Sequence, residues 1–258
     1  MTALQVRGLK HHFGGVRALD GVSFDLAAGH CVALIGPNGA GKSTCFACLA
    51  GQLHAQSGQA LWAGQPLLGL SPAQRLQRGV ARTFQVAQTF EALTVLQNLQ
   101  LVLSAAHLSW WDRLDRRHVQ AAEALLAPMD LLAHRHAVVA DLPYGAKKRL
   151  ELAMALAGWH GQANEQPRLL LLDEPAAGLA PAERQAMMAL VRQVAASGVT
   201  VLYTEHNMDA VFGVADRVLV LMQGRLVADG TPEQVAQDPH VRQNYLGADF
   251  GMPGASHA

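Results

Sequence analysis

The chain has 258 residues, with 20 lysines and arginines balanced by 20 aspartates and glutamates, and half of its residues are hydrophobic. This length predicts one large domain or two small ones and is enough to bury a substantial core. The zero net charge argues against nucleic acid or an anionic lipid surface as the main partner. The apolar sequence without low-complexity runs argues against disorder.

The mean hydropathy of +0.13 is high for a soluble protein. However, no window approaches the ~18 uninterrupted apolar residues of a membrane-spanning helix. The N-terminus has no apolar signal-peptide core. Three cysteines cannot form a disulfide framework, so we expect a cytoplasmic protein.

Short apolar runs alternate with helix-length segments along most of the chain. Residues 4–9 alternate between apolar and polar side chains, which predicts a half-buried edge strand. Continuous apolar runs predict buried strands, and residues 181–196 predict a helix that begins at a proline. The later predicted strands are 31–35, 169–172, 199–204, 217–222 and 225–229. Such alternation is typical of a parallel α/β sheet.

The middle of the chain differs, because residues 86–160 contain no convincing strand pattern. Thr94 is a predicted N-cap for a helix, and residues 115–126 and 145–157 predict two more helices. This pattern indicates a helical insert of roughly 70 residues inside an α/β core.

Residues 36–43 match the pattern of two glycines five positions apart, followed by lysine and serine. They lie between a predicted strand and a predicted helix, which is the setting that this motif requires. Glycines allow backbone N–H groups to surround phosphate oxygens, while the helix N-terminus faces them. We therefore expect Lys42 to reach the β- and γ-phosphates and the Ser43 hydroxyl to bind Mg²⁺.

A second element consists of four leucines followed by Asp173 and Glu174. In phosphate-loop NTPases, an aspartate at the end of a buried strand holds Mg²⁺. Glu174 lies where a general base could polarise an attacking water. A kinase would need an acceptor-substrate pocket and a GTPase an Asn-Lys-x-Asp motif, and neither appears.

Three further segments follow the order of a known family. They are residues 82–85 (Arg-Thr-Phe-Gln), 142–146 (Leu-Pro-Tyr-Gly-Ala) and 204–207 (Thr-Glu-His-Asn). Together with the phosphate loop and the Asp-Glu pair, they resemble the nucleotide-binding subunit of an ABC transporter over essentially the whole chain. The resemblance implies an α/β fold with a P-loop NTPase core, RecA-like and mainly parallel, an antiparallel β subdomain and an inserted α-helical subdomain.

The resemblance also implies one nucleotide-binding domain across residues 1–258. Its catalytic α/β core would comprise residues 1–85 and 161–246. The helical signature subdomain would comprise residues 86–160, and residues 247–258 would form a C-terminal tail.

The family is an ATPase family that uses ATP and Mg²⁺, and the resemblance implies catalytic roles for Glu174, His206, Gln85 and Lys42. His206 would contact the γ-phosphate, and Gln85 would touch Mg²⁺ or the attacking water and signal to the transmembrane partner. The implied Mg²⁺ ligands are Ser43, Gln85 and Asp173, partly through water. The implied ATP-binding residues are Phe13, stacked on adenine, and Gly36, Pro37, Asn38, Gly39, Ala40, Gly41, Lys42, Ser43 and Thr44. Leu142, Tyr144 and Gly145 would contact the ATP of a second subunit, and a core position is the alternative for Phe13.

The signature segment departs from the usual Leu-Ser-Gly-Gly-Gln. Pro143 replaces a serine that would contact the γ-phosphate, Ala146 replaces a polar residue, and Ala180 stands where Asp or Asn is usual. All three lie in elements that, by the resemblance, would contact the nucleotide in the opposite site. We therefore favour a heterodimer with a paralogous cassette, in which the site completed by Pro143 is the weaker one; a homodimer is the alternative.

Residues 79–85, 93–99 and 229–247 are similar to importers of branched-chain amino acids, although urea and short-chain amide importers share much of this sequence. The implied partners are a second cassette, transmembrane permeases and, indirectly, a periplasmic substrate-binding protein, with no nucleic acid. The implied location is peripheral, on the cytoplasmic face of the inner membrane. An exporter or lipid-transport cassette and a non-transport ABC ATPase are the alternatives.

Overall fold

The computed structural model of the chain describes residues 2–83, 87–104, 118–161, 166–247 and 250. Its strands are β1 (Thr2–Phe13), β2 (Val16–Ala27), β3 (Cys31–Ile35), β4 (Ser57–Trp62), β5 (Gln65–Pro66), β6 (Val80–Arg82), β7 (Leu169–Asp173), β8 (Thr200–Thr204), β9 (Arg217–Met222) and β10 (Arg225–Gly230). Its helices are α1 (Lys42–Ala50), α2 (Pro72–Gln77), α3 (Val95–Ser104), α4 (Val119–Leu126), α5 (Tyr144–Ala157), α6 (Pro181–Ala196), α7 (Met208–Phe212), α8 (Pro232–Gln237) and α9 (Pro239–Val241).

The larger sheet has six strands in the order β10-β9-β3-β8-β7-β6, and all neighbours are parallel except β10 and β9. Strands β3, β7 and β8 are buried throughout, because both faces of the sheet are covered. The continuous apolar runs of the sequence therefore predicted these strands to within one residue at each end.

The smaller sheet is antiparallel, in the order β2-β1-β4-β5. The prediction that the first strand lies at an edge is wrong, because β1 lies between β2 and β4. Leu4, Val6 and Leu9 of β1 are fully buried, and they share a core with α1. The alternation of apolar and polar residues indicates that one face of an antiparallel sheet contacts solvent. It does not indicate which strands lie on either side of β1.

Helices α3, α4 and α5 lie between β6 and β7 in the chain. The Thr94 hydroxyl accepts the N–H of Gln97 at 3.2 Å and so caps the start of α3, as predicted. The predicted second helix is described only from residue 118 onward, where α4 begins at Val119. Among the described residues, no helix is both long enough and apolar enough to span a bilayer.

The central strand β3 joins two hydrophobic cores. Val32 and Leu34 belong to the core that contains α1 and the antiparallel sheet. Cys31, Ala33 and Ile35 belong to the core that contains helices α3 to α6. Successive side chains of a strand point to opposite faces, so the carboxyl end of β3 is fixed from both sides.

Asp216 connects the beginning of β3 to α6. Its Oδ2 accepts the N–H of Cys31 at 2.8 Å, and its Oδ1 accepts Nη1 of Arg192 at 2.6 Å. Burial alone would raise the pKa of this carboxyl, but these two partners hold the pKa below its ordinary value. A carboxyl with a lowered pKa stabilises the fold above its unfolded-state pKa, and this contribution is lost as the pH falls through the folded-state pKa.

We expect Asp216→Asn to lower the free energy of unfolding at pH 7 by about 1 to 2 kcal/mol, since one charge-assisted hydrogen bond is weakened. The variant should also lose less stability than the wild type below about pH 4. Urea unfolding of both proteins at pH 7 and in acid measures both effects. Equal free energies of unfolding for the wild type and Asp216→Asn at pH 7 would contradict the stabilising role of Asp216.

Candidate functional site

The loop between β3 and α1 has a backbone that only glycine accommodates at two positions. Gly36 has φ 146°, and a Cβ there would lie 1.9 Å from the carbonyl oxygen of Leu221. Gly41 has φ 104°, and a Cβ there would lie 2.1 Å from the carbonyl oxygen of Ala18. Strands β9 and β2 therefore close on the loop from behind. Gly41 is the N-cap of α1, so no capping side chain bonds to the N–H groups of the first turn. This is typical of a helix start that binds phosphate.

Lys42 is held over this loop. Its Nζ donates to the carbonyl oxygens of Gly36 at 2.7 Å and Pro37 at 3.1 Å. Burial lowers the pKa of Lys42, and the negative charges of Glu174 and Asp173 oppose that effect. Of the other predicted phosphate-loop residues, Asn38 and Gly39 are exposed and Ala40 is buried in the loop itself. Ser43 is exposed and Thr44 is half-buried in the first turn of α1. The ammonium is thus positioned to balance phosphate charge.

Asp173 ends β7, directly opposite Thr204 at the end of β8. The Thr204 hydroxyl donates to Asp173 Oδ1 at 2.8 Å and accepts the N–H of Glu174 at 3.0 Å. Arg82 at the end of β6 donates to Asp173 Oδ2 at 3.1 Å. The sequence analysis assigned no role to Thr204 or Arg82. The signal available for Thr204 is that it ends a predicted strand, whereas the sequence predicts no strand before Arg82, which ends β6.

The structure brings Glu174 and His206 together, with Glu174 Oε1 2.7 Å from His206 Nε2. Glu174 has φ 49°, a left-handed conformation that costs a non-glycine residue about 1 to 3 kcal/mol. The bond from its N–H to Thr204 helps to hold this conformation. His206 is exposed and Glu174 half-buried, and the pair follows β7 and β8 at the same edge of the sheet as the phosphate loop that follows β3.

The signature segment lies at the beginning of α5. Pro143 is the N-cap and makes no side-chain bond, Tyr144 is 42% exposed and Leu142 is buried. A Cβ on Gly178 would lie 3.3 Å from the Tyr144 ring, and a Cβ on Gly145 would lie 2.7 Å from Glu183 Oε1. The signature therefore packs against the loop after Glu174 and the first turn of α6.

Phe13 ends β1 and is 51% exposed, so the core alternative for this residue is wrong. Val16, at the beginning of β2, is 67% exposed, and the two form an apolar surface at the hairpin. An exposed ring beside an exposed aliphatic side chain offers a flat platform of the kind that aromatic bases stack on. Gln85 lies outside the described residues.

Residues 19–177 match the family described as ABC transporter. The chain belongs to the ABC transporter ATP-binding family. Residues 225–251 match a second family, the branched-chain amino acid ATP-binding cassette transporter. The chain is accordingly an ATP-binding subunit with ATPase activity, and the predicted family is confirmed.

Three curated relatives align over nearly the full length. The chain is 36% identical to the high-affinity branched-chain amino acid transport ATP-binding protein BraF of Pseudomonas aeruginosa, over 95% of this chain and 97% of that protein. It is 38% identical to LivG of Escherichia coli, which has the same description, with the same coverage. It is also 34% identical to the lipopolysaccharide export system ATP-binding protein LptB of Escherichia coli, over 98% of this chain and 100% of that protein.

A solved structure confirms the fold class. The crystal structure of the ADP conformation of an ATP-binding cassette of an ABC transporter matches with a TM-score of 0.83 and 29% identity. The match covers 96% of this chain and 99% of that one. The predicted α/β P-loop core with an antiparallel sheet and inserted helices is therefore correct.

Replacing Thr204 with valine tests the link between the two carboxylates. The substitution preserves the shape of a side chain that is 1% exposed, but it removes the hydroxyl that fixes both Asp173 and Glu174. We expect kcat for ATP hydrolysis to fall about ten- to hundredfold, since small misplacements of catalytic groups have effects of this size. Thr204→Ser retains the hydroxyl and serves as the control. A wild-type kcat in Thr204→Val would contradict this role.

Proposed function

We propose that the chain is the ATP-hydrolysing subunit of an importer of branched-chain amino acids. The observation that carries this proposal is the match of residues 225–251 to the branched-chain cassette family. This segment lies outside the region shared with ABC transporters in general, which ends at residue 177. The descriptions of BraF and LivG support the same substrate class.

The donor atoms at the site fit Mg²⁺, which prefers oxygen ligands. Asp173 offers a carboxylate at the end of β7, Ser43 offers an exposed hydroxyl in the first turn of α1, and Gln85 is the third ligand of the proposal. When bound, the ion neutralises charge on the β- and γ-phosphates. Lys42 adds a second positive charge from the loop itself. Phe13 stacks on the adenine.

Hydrolysis then depends on Glu174 and His206. In our proposal, Glu174 accepts a proton from the attacking water, and His206 Nε2–H donates to Glu174 Oε1 and keeps its carboxylate oriented. His206 is exposed, so it can also contact the γ-phosphate. The two side chains come from separate loops, so the geometry of attack depends on how those loops are held together.

ATP would bind between two cassettes arranged head to tail, with Leu142, Tyr144 and Gly145 contacting the nucleotide of the second cassette. Tyr144 is exposed at the first turn of α5, where backbone N–H groups and the positive end of the helix dipole are available. Pro143 supplies neither a hydroxyl nor an N–H. We therefore propose a paralogous partner cassette that supplies a complete signature to this chain's own site.

Coupling to the membrane would use a groove lined by residues that precede and follow Gln85 in the sequence. A cavity of about 310 Å³ lies between β6 and α5, and its walls include Arg82, Gln88, Val102, Glu151 and Met154. We propose that this groove receives a cytoplasmic segment of a permease subunit. The cassette would then act peripherally at the cytoplasmic face of the inner membrane, with a periplasmic binding protein delivering substrate to the permeases.

Glu174→Gln tests the base assignment and the transport role together. In proteoliposomes that contain the permeases and partner cassette, with the binding protein added outside, the wild type should drive ATP-dependent leucine uptake. The variant should bind ATP normally but lose at least about a hundredfold in hydrolysis and uptake, because the general base is removed. Uptake of urea or an amide instead of leucine would overturn the substrate assignment. Substantial hydrolysis by the variant would overturn the base assignment.

The two nucleotide sites of the complex should differ. Glu174→Gln in this chain should remove most hydrolysis, because its site receives the complete signature. The equivalent substitution in the partner cassette should remove much less, because its site receives Pro143. Steady-state ATPase rates of the two singly substituted complexes measure the difference. Equal losses would contradict the asymmetry, and a stable, active homodimer would contradict the paralogous partner.

A further inference from the structure

Glu205 is a buried carboxylate that the mechanism above does not use. Its side chain lies between the two catalytic loops, and the residue is 3% exposed. Its Oε1 accepts the N–H of Ala176 at 2.8 Å, and its Oε2 accepts the N–H of His206 at 3.2 Å. Burial raises the pKa of Glu205, whereas backbone N–H groups of Ala176, His206 and Asn207 oppose this shift. Burying a carboxylate is costly unless it is paired, so the position has a specific requirement for this group.

The bond from the Ala176 N–H joins two loops that the sheet itself no longer connects, whereas the bond from the His206 N–H lies within the loop of Glu205 itself. The parallel pairing of β7 with β8 ends at Asp173 and Thr204. Beyond it, Glu174 and Ala176 follow β7, whereas Glu205 and His206 follow β8. The Thr204 hydroxyl makes the first connection, at the N–H of Glu174. The Glu205 carboxylate makes the second, two residues further along at Ala176.

We propose that Glu205 is a positioning residue for ATP hydrolysis, whose carboxylate joins the loop carrying Glu174 to the loop carrying His206. By fixing both backbones, it sets the contact of 2.7 Å between Glu174 Oε1 and His206 Nε2. The inference rests on the proposed catalytic roles of Glu174 and His206. Oε1 accepts from the loop that carries Glu174, and Oε2 accepts from the backbone of His206 next to it, so the carboxylate contacts the backbone of both loops.

Lys148 on α5 supplies positive charge to the same region. It is 2% exposed and lines a small cavity together with Thr83, Glu151 and Pro175. Burial lowers the pKa of Lys148, and the neighbouring carboxylates oppose this shift: Glu151, Glu205, Asp173 and Glu174. Charges in a buried interface are weakly screened. Lys148 therefore places a positive charge beside the loop that follows β7 and carries Glu174 and Ala176.

Glu205→Gln is the principal test, because the amide has the same shape but presents an N–H₂ group to one of the two backbone donors. In the assembled complex, we expect kcat to fall about ten- to hundredfold. The KM for ATP and the affinity for ATP should change less than about twofold, since the loops act on the transition state. Glu205→Asp retains both oxygens on a shorter side chain and should recover part of the loss.

Asp216→Asn is the matched control. Asp216 is also a carboxylate that accepts a backbone N–H, but it does so at the beginning of β3, at the opposite end of the strands from the catalytic loops. The Asp216→Asn substitution should lower the free energy of unfolding and leave kcat within about twofold of the wild type. A kcat loss in Glu205→Gln that is no larger than that in Asp216→Asn would overturn the positioning role. A raised KM with unchanged kcat would overturn it as well.

Glu174→Gln, assayed alongside, separates this inference from the proposed function. If Glu174→Gln abolishes hydrolysis and Glu205→Gln has a wild-type kcat, the positioning role alone fails. If Glu174→Gln hydrolyses ATP normally, the proposed base fails and this inference fails with it.

Discussion

The alignment of three parallel strands, β3, β7 and β8, is the constraint on which the site depends. All three end at one edge of the sheet, and their register places Asp173 opposite Thr204. The eight-residue phosphate loop follows β3. Asp173 and Glu174 lie at the end of β7, and His206 follows β8. A slip of one residue would turn Asp173 to the opposite face of the sheet. The buried apolar runs of these strands therefore serve catalysis through register as well as stability.

The site was predictable from the sequence where its chemistry is local. The phosphate loop lies within eight consecutive residues, and the Asp-Glu pair directly follows four leucines. The groups that were missed act across long separations: 31 residues between Thr204 and Asp173, 91 between Arg82 and Asp173, and 29 between Ala176 and Glu205. Each such contact depends on strand order, which the periodicity of a single segment does not encode. The same limit explains why the prediction of an edge position for the first strand is wrong.

The glycines of the phosphate loop also depend partly on local sequence and partly on contacts from distant parts of the chain. That the loop needs glycine is evident from the motif, since backbone N–H groups must approach phosphate closely. The contacts that make glycine obligatory come from far along the chain. Leu221 of β9 closes on Gly36, and Ala18 of β2 closes on Gly41. The loop is consequently shaped by the packing of strands from both sheets.

The signature helix contacts the same loop that carries the catalytic glutamate. Tyr144 packs on Gly178, and Gly145 closes on Glu183, so the first turn of α5 and the segment after Glu174 form one unit. In the proposed complex, the exposed residues of that unit would face the opposite nucleotide, and Glu174 would face this chain's own site. Two of the departures from the family pattern, Pro143 and Ala180, are at exposed positions, whereas the third, Ala146, is buried. In the proposed heterodimer, the exposed departures would change the surface offered to the partner's nucleotide and leave the packing of Tyr144 and Gly145 in place. The asymmetry that we propose would therefore arise at Pro143 and Ala180, on the surface of the unit.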